Sequence, residues 1–131
     1  MSQITTINPA TEEELASYDL MSETKASEIV EACHAAFLDW RTKTHAERGE
    51  HLTAIAAKLR ENADDLAKLM TQEVGKLYKD GKTEVELCAG IFEYAAKHGP
   101  ELLADEERVH GDGKRGVVTY QPIGVVYSIQ P

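Results

Sequence analysis

Gln121-Pro122-Ile123-Gly124-Val125-Val126-Tyr127-Ser128-Ile129-Gln130-Pro131 is the stretch on which the fold class turns. From Val125 to Ile129 only Ser128 interrupts an apolar run, the pattern of a parallel strand covered on both faces rather than of one with a wet side. Just upstream, Gly116-Val117-Val118-Thr119-Tyr120-Gln121 is β-branched and aromatic, and Pro122, with no N–H to offer a ladder, separates the two segments. Two strands are predicted, over 116–121 and 124–129. No later element among the 131 residues pairs with or covers the second, and an uncovered apolar edge templates association. The expectation is a missing continuation of the chain or a partner chain at this strand.

Working back, the period changes from two to 3.6. Residues 79–98 carry Val85, Cys88, Phe92 and Ala96 on one helical stripe, which Gly99-Pro100 is expected to end. Asn62 is placed to cap a shorter helix with Leu66, Leu69, Met70 and Val74 inward, and Gly75 to close it in the left-handed conformation. Thr44-His45-Ala46-Glu47 has the capping-box pattern ahead of Leu52, Ile55, Ala56 and Leu59. Ser22 caps a first helix whose stripe is Ile29, Cys33, Ala36, Phe37 and Trp40. Before it, alternation over 4–7 and 15–18 around Asn8-Pro9-Ala10-Thr11 reads as a β-hairpin. The charged, glycine-containing stretch 105–116 reads as a loop. The order is a hairpin, four helices, then strands.

Composition narrows the function. With 14 Lys and Arg against 23 Asp and Glu the chain carries a net charge of −9, which argues against nucleic acid or an anionic membrane as a partner, since both need clustered cations. At 42% hydrophobic residues it is too apolar for disorder. One domain of this length can bury a core; two cannot. Two cysteines are no disulfide framework, and reduced, buried thiols in a cytoplasmic protein are expected. Residues 1–6 have neither the basic nor the apolar segment of a signal peptide, and no window reaches the run of about 18 apolar residues that a membrane helix needs.

The chemistry-bearing motifs each have a plainer explanation. Gly111-Asp112-Gly113-Lys114-Arg115-Gly116 has G-x-G-x-x-G spacing, but a dinucleotide loop must lead from a strand into a helix N-terminus, and here charged residues precede and a strand follows. Gly75-Lys76 lacks the earlier glycine and the following Ser or Thr of a phosphate loop. Glu47 and His51 share a helix face, two groups where a metal needs three or four. Cys33 and Cys88 sit in apolar stripes and read as core residues rather than nucleophiles. The runs 12–14 and 105–107 read as solvated charge. Spacing alone assigns no catalytic residue.

Several stretches taken together resemble the N-terminal part of the aldehyde dehydrogenase superfamily: Ile7-Asn8-Pro9-Ala10-Thr11, Ala36-Phe37-Leu38-Asp39-Trp40-Arg41, Arg48 with Leu52 and Leu59-Arg60, Glu73-Val74-Gly75-Lys76, Glu84-Val85, Phe92-Glu93-Tyr94-Ala95, and Gln121-Pro122-Ile123-Gly124-Val125-Val126 through Ile129-Gln130-Pro131. Tyr94-Ala95-Ala96-Lys97-His98-Gly99-Pro100-Glu101 further resembles the bacterial succinate-semialdehyde dehydrogenase branch.

The resemblance implies an α/β fold in which 1–131 is the start of a Rossmann-like NAD(P)-binding domain, with 114–123 in a β-arm that bridges subunits of a homo-oligomer and 124–129 returning to the sheet. It implies NAD or NADP as cofactor, a small-molecule aldehyde as substrate, and hydride transfer from a cysteine adduct followed by thioester hydrolysis. Ile129, Gln130 and Pro131 match the strand end that passes the adenosine half of the cofactor, although Gln130 stands where an apolar residue is commoner. Leu77 stands at a frequent Pro, and Gly81 at a frequent Ala, which suggests a loose start to the fourth helix. The family's oxyanion Asn, general-base Glu and Cys nucleophile match positions after Pro131, so the 131 residues alone are expected to be inactive. The alternative is a non-enzymatic module that pairs with an intact dehydrogenase subunit through its open strand.

Overall fold

The computed structural model describes residues 3–129. The N-terminal alternation forms two antiparallel strands, β1 (Gln3–Ile7) and β2 (Glu14–Asp19), with Ile4 opposite Tyr18 and Thr5 opposite Ser17. Their connection is built by Asn8, whose side-chain oxygen accepts from the Ala10 N–H at 2.9 Å, the local bond that makes Asn a turn former.

Four helices follow: α1 (Glu23–Trp40), α2 (His45–Glu61), α3 (Ala63–Val74) and α4 (Tyr78–Leu102). Ser22 caps α1 through its hydroxyl to the Lys25 N–H at 3.2 Å. At α2 the capping box is complete: Thr44 Oγ1 accepts from the Glu47 N–H at 3.2 Å, and the Glu47 carboxylate accepts from the Thr44 N–H at 2.7 Å. Gly75 ends α3 at φ 70°, the left-handed position anticipated for it.

The helical core is α2 and α3 on α4. Gly49 of α2 meets Ala96, while Arg60 at the other end of α2 meets Glu86, so α2 and α4 run antiparallel. Ala56, Ala67, Val85 and Ala89 are the buried apolar residues of the described chain. This core is made of small side chains, which lets helix backbones approach closely. Cβ atoms built at Gly49 and Gly81 would lie 3.1 Å from the Ala96 carbonyl oxygen and the Ala67 Cα.

Beyond α4, β3 (Glu106–Val109) and β4 (Arg115–Val118) form a second antiparallel hairpin. No described helix is long and apolar enough to cross a membrane.

The structure corrects several expectations. Residues 105–116, read as a loop, contain β3, because cross-strand pairing compensates for its charged sequence. The strand expected over 116–121 is instead β4, Arg115–Val118, displaced toward its partner in the hairpin. Residues 124–129 are not in a strand; a central strand needs neighbours on both sides, and the described sheets are two separate pairs. Helix α4 runs past Gly99-Pro100 to Leu102, with a Leu103 N–H bond to the Gly99 carbonyl at 3.0 Å. Asn62 does not cap α3; its amide turns back to the Lys58 carbonyl at 2.8 Å. Gly81 is buried against α3 rather than loosening α4. Cys33 is exposed and Cys88 half-buried, because α1 buries none of its residues and Ala89 takes the inner position on α4.

The accessible surface is 10606 Å² for 14.5 kDa, where the scaling of surface with mass gives about 6900 Å² for a folded monomer. Apolar side chains supply much of it: Leu87, Ile91 and Tyr94 on α4, and Ile123, Val126, Tyr127 and Ile129 near the end, are all more than half exposed.

Candidate functional site

Gly124, at φ 100°, turns the chain beside α1, where a Cβ would meet the Phe37 ring at 4.0 Å. Gly124 and Val125 join Cys33, Ala36, Phe37 and Trp40 around a cavity of about 510 Å³. The first-helix stripe is thus met by the segment the sequence marks as a strand. Ile129, expected to face the cofactor, is 82% exposed. Gln130 and Pro131, named with it, lie outside the described residues.

The Gly111–Gly116 motif falls at the tip and descending arm of the β3–β4 hairpin. The His110 N–H donates to the Lys114 carbonyl at 2.9 Å, Gly113 takes φ 77°, and Asp112 accepts from the Lys114 N–H at 3.2 Å. No helix opens there, so the backbone N–H fan that holds a pyrophosphate is missing from the motif. The described residues assemble no dinucleotide cradle.

Among the described residues Cys33 and Cys88 have no hydrogen-bond partner, whereas an activated nucleophile needs a base within reach and donors aimed at the oxyanion. Glu47 is committed to the capping box, and its bonds to Thr44, the backbone one first, hold its carboxyl below the ordinary range. His51 turns the other way, its ring 5.2 Å from that of Trp40. No group of three potential metal ligands occurs among the described residues.

Two polar constellations escaped the sequence reading. Arg60 of α2 reaches Glu86 at 2.7 Å and Glu93 at 2.5 Å, both on α4. The hydrogen bonds that Arg60 donates lower both carboxyl pKa values and raise that of the guanidinium. At the α3–α4 corner, Asp64 accepts from Lys82 at 2.6 Å and from the Tyr78 hydroxyl at 2.8 Å. These bonds lower the Asp64 pKa and raise those of Lys82 and Tyr78. The seven-residue spacing of Glu86 and Glu93 was a legible signal for a shared helix face. Their partner came from another helix, and spacing could not supply it.

Glu86 also borders a cavity of about 810 Å³ along the outer face of α4, with Lys82, Thr83, Leu87, Gly90, Ile91 and Tyr94. Its lining combines the apolar Leu87 and Ile91 with the charged Lys82 and Glu86.

Comparison with known proteins places this arrangement. The model of the aldehyde dehydrogenase family matches residues 1–131. The chain is similar to a succinate-semialdehyde dehydrogenase [NADP(+)] from Mycobacterium avium, with 37% identity over 98% of this chain and 28% of the relative. Among solved structures, succinic semialdehyde dehydrogenase from Streptococcus pyogenes in complex with NADP+ superimposes with a TM-score of 0.80 at 32% identity, over 88% of this chain and 25% of that one. Succinate-semialdehyde dehydrogenase from Burkholderia pseudomallei gives 0.78 at 31%, over 85% and 23%. The chain spans about a quarter of the length of these relatives.

Proposed function

Because this chain belongs to the aldehyde dehydrogenase family, matching its model from residue 1 to residue 131, we propose that it is the N-terminal part of the NAD(P)-binding domain of a cytoplasmic enzyme that oxidises succinate semialdehyde with NADP. The observation that carries the substrate and cofactor is the 37% identity, over 98% of the chain, to a relative named for both. The excess surface supports the architectural half of the proposal, since the open faces of α4 and of 123–129 are what a larger domain would cover.

On this reading the reacting thiol, the general base and the oxyanion donors lie outside these 131 residues, and the chain supplies scaffold. Arg60 pins α4 to α2 through two carboxylates; α4 presents its apolar outer face; Gly124 directs the last segment across α1. Ile129, Gln130 and Pro131 pass the adenosine half of the cofactor mainly through backbone. Residues 114–123 form the arm between subunits, a role favoured by the free outer edge that β4 keeps in a two-stranded sheet.

Joining residues 1–131 to the part of the M. avium relative beyond the match tests this. The fusion is expected to form NADPH from succinate semialdehyde, and the 131-residue chain to form none. A folded but inactive fusion, or turnover by the short chain, overturns the proposal.

The open surface also favours a second reading, a non-enzymatic module that docks on an intact dehydrogenase subunit. Co-purification with a full-length relative is its expected signature; a monodisperse monomer that ignores the relative rejects it.

A further inference from the structure

Between the start of α2 and the end of α4 lies a smaller cavity of about 370 Å³. Apart from His45, Arg48 and Tyr94 its lining is apolar, with Leu52, Leu102 and Leu103 among the walls, and no carboxylate borders it. Arg48 is half-buried there, and its guanidinium donates to His45 Nδ1 at 2.9 Å. An arginine has no lone pair to offer, so Nδ1 is the acceptor and the His45 ring carries its proton on Nε2.

Arg48 stands apart from the other cations of this acidic chain. Lys25, Lys43, Lys58, Arg60, Lys68, Lys76, Lys82, Arg108, Lys114 and Arg115 each pair with a carboxylate. Arg41 lies over the Phe37 ring, and Lys79 and Lys97 are exposed, where water serves them. Among the described residues Arg48 alone is a half-buried cation whose one side-chain partner is a neutral ring nitrogen. That bond orients the guanidinium without neutralising it, and leaves donors of the planar fork unused. The fork matches a carboxylate in two-point geometry, and partial removal from water strengthens such a pair.

We propose that this cavity is a binding site for a carboxylate carried on an apolar body, with Arg48 gripping the anion, His45 holding the guanidinium in place, and the leucine walls taking the apolar part. The site is separate from the proposed cofactor segment and does not depend on the proposed reaction. The carboxylate could be a free acid or a side chain in a polypeptide, and the probes separate these sources.

The test is an NMR titration of the 131-residue chain with octanoate, with octan-1-ol as the neutral control, and with the blocked tripeptide acetyl-Leu-Glu-Leu-amide. Saturable shifts of the Arg48 Nε–H and of the Ala95, Leu102 and Leu103 amides are expected with octanoate, the peptide or both, and the probe that produces them identifies the source. Arg48→Met, which keeps the apolar stem, is expected to weaken binding at least tenfold, and Arg48→Lys to restore part of it. Equal shifts with octan-1-ol, unchanged affinity in Arg48→Met, or no response to either carboxylate overturns the proposal. The octanol comparison needs no mutant and stands if a variant fails to fold.

Discussion

Gly81 on α4 lies so close to Ala67 on α3 that a Cβ at position 81 would sit 3.1 Å from the Ala67 Cα and 3.2 Å from its Cβ. The obstacle is backbone as well as side chain, so it cannot rotate away. Gly81→Leu is expected to lower stability by about 1 to 3 kcal/mol, the usual range for overpacking. Gly90 has nothing within 4 Å of its missing Cβ, and Gly90→Ala is expected to gain up to about 1 kcal/mol from helix propensity alone. Urea unfolding followed by circular dichroism measures both; similar effects at the two glycines would contradict the packing account.

The Arg60 clamp predicts an acid limit. Glu86 and Glu93 have folded pKa values below their ordinary 4.5 because Arg60 hydrogen-bonds their charged forms. A depressed carboxyl pKa contributes stability that is present above the unfolded value and is lost as pH falls through the folded one. The unfolding midpoint should therefore change little from pH 7 to 5 on their account and fall below pH 4.5. Arg60→Met should shrink that fall, and added salt should narrow the difference between the two proteins, since the groups are solvent-accessible. Matching acid profiles for the two proteins would remove the clamp from the account.

The capping box makes a separate prediction. Thr44→Ala removes the hydroxyl that accepts from the Glu47 N–H, and losses of this kind cost about 1 kcal/mol. Thr44→Ser keeps the acceptor and should be close to neutral. Amide exchange at the first turn of α2 should quicken in the alanine variant alone.

Exposure distinguishes the two thiols. Cys33 is exposed and Cys88 half-buried, so iodoacetamide should modify Cys33 first in the native chain and both equally in urea. Replacing either by Ser should leave the turnover of the active fusion unchanged, because neither has a hydrogen-bond partner among the described residues. Loss of turnover on replacing Cys33 would reopen its assignment.

Legibility followed the range of the interactions involved. The hairpin, the Ser22 and Thr44 caps, the left-handed Gly75 and the four helices rest on contacts within a few residues, and each appears where local chemistry placed it. Asn62 departs from the capping expected of it because its amide has a local alternative, the Lys58 carbonyl one turn back. Pro100 does not stop α4, because a proline in the last turn costs the helix one internal bond while the following N–H groups still find carbonyls. At β3, a charged stretch read as a loop found its partner in β4, whose pairing lies several residues away.

The sequence by itself determined the helical stripes, the turn chemistry and, through motifs spread along the chain, the family. Periodicity and capping are properties of neighbours on one element, and they survive in a string of letters. Only the tertiary structure decided that Ala67 and Ala89 are buried while Leu69 and Leu87 are open, that Gly81 is a close-packing position, and that Arg60 joins two carboxylates while Arg48 joins none. Those outcomes depend on which faces of α2, α3 and α4 meet, and the meeting is set by how closely small residues let the backbones approach.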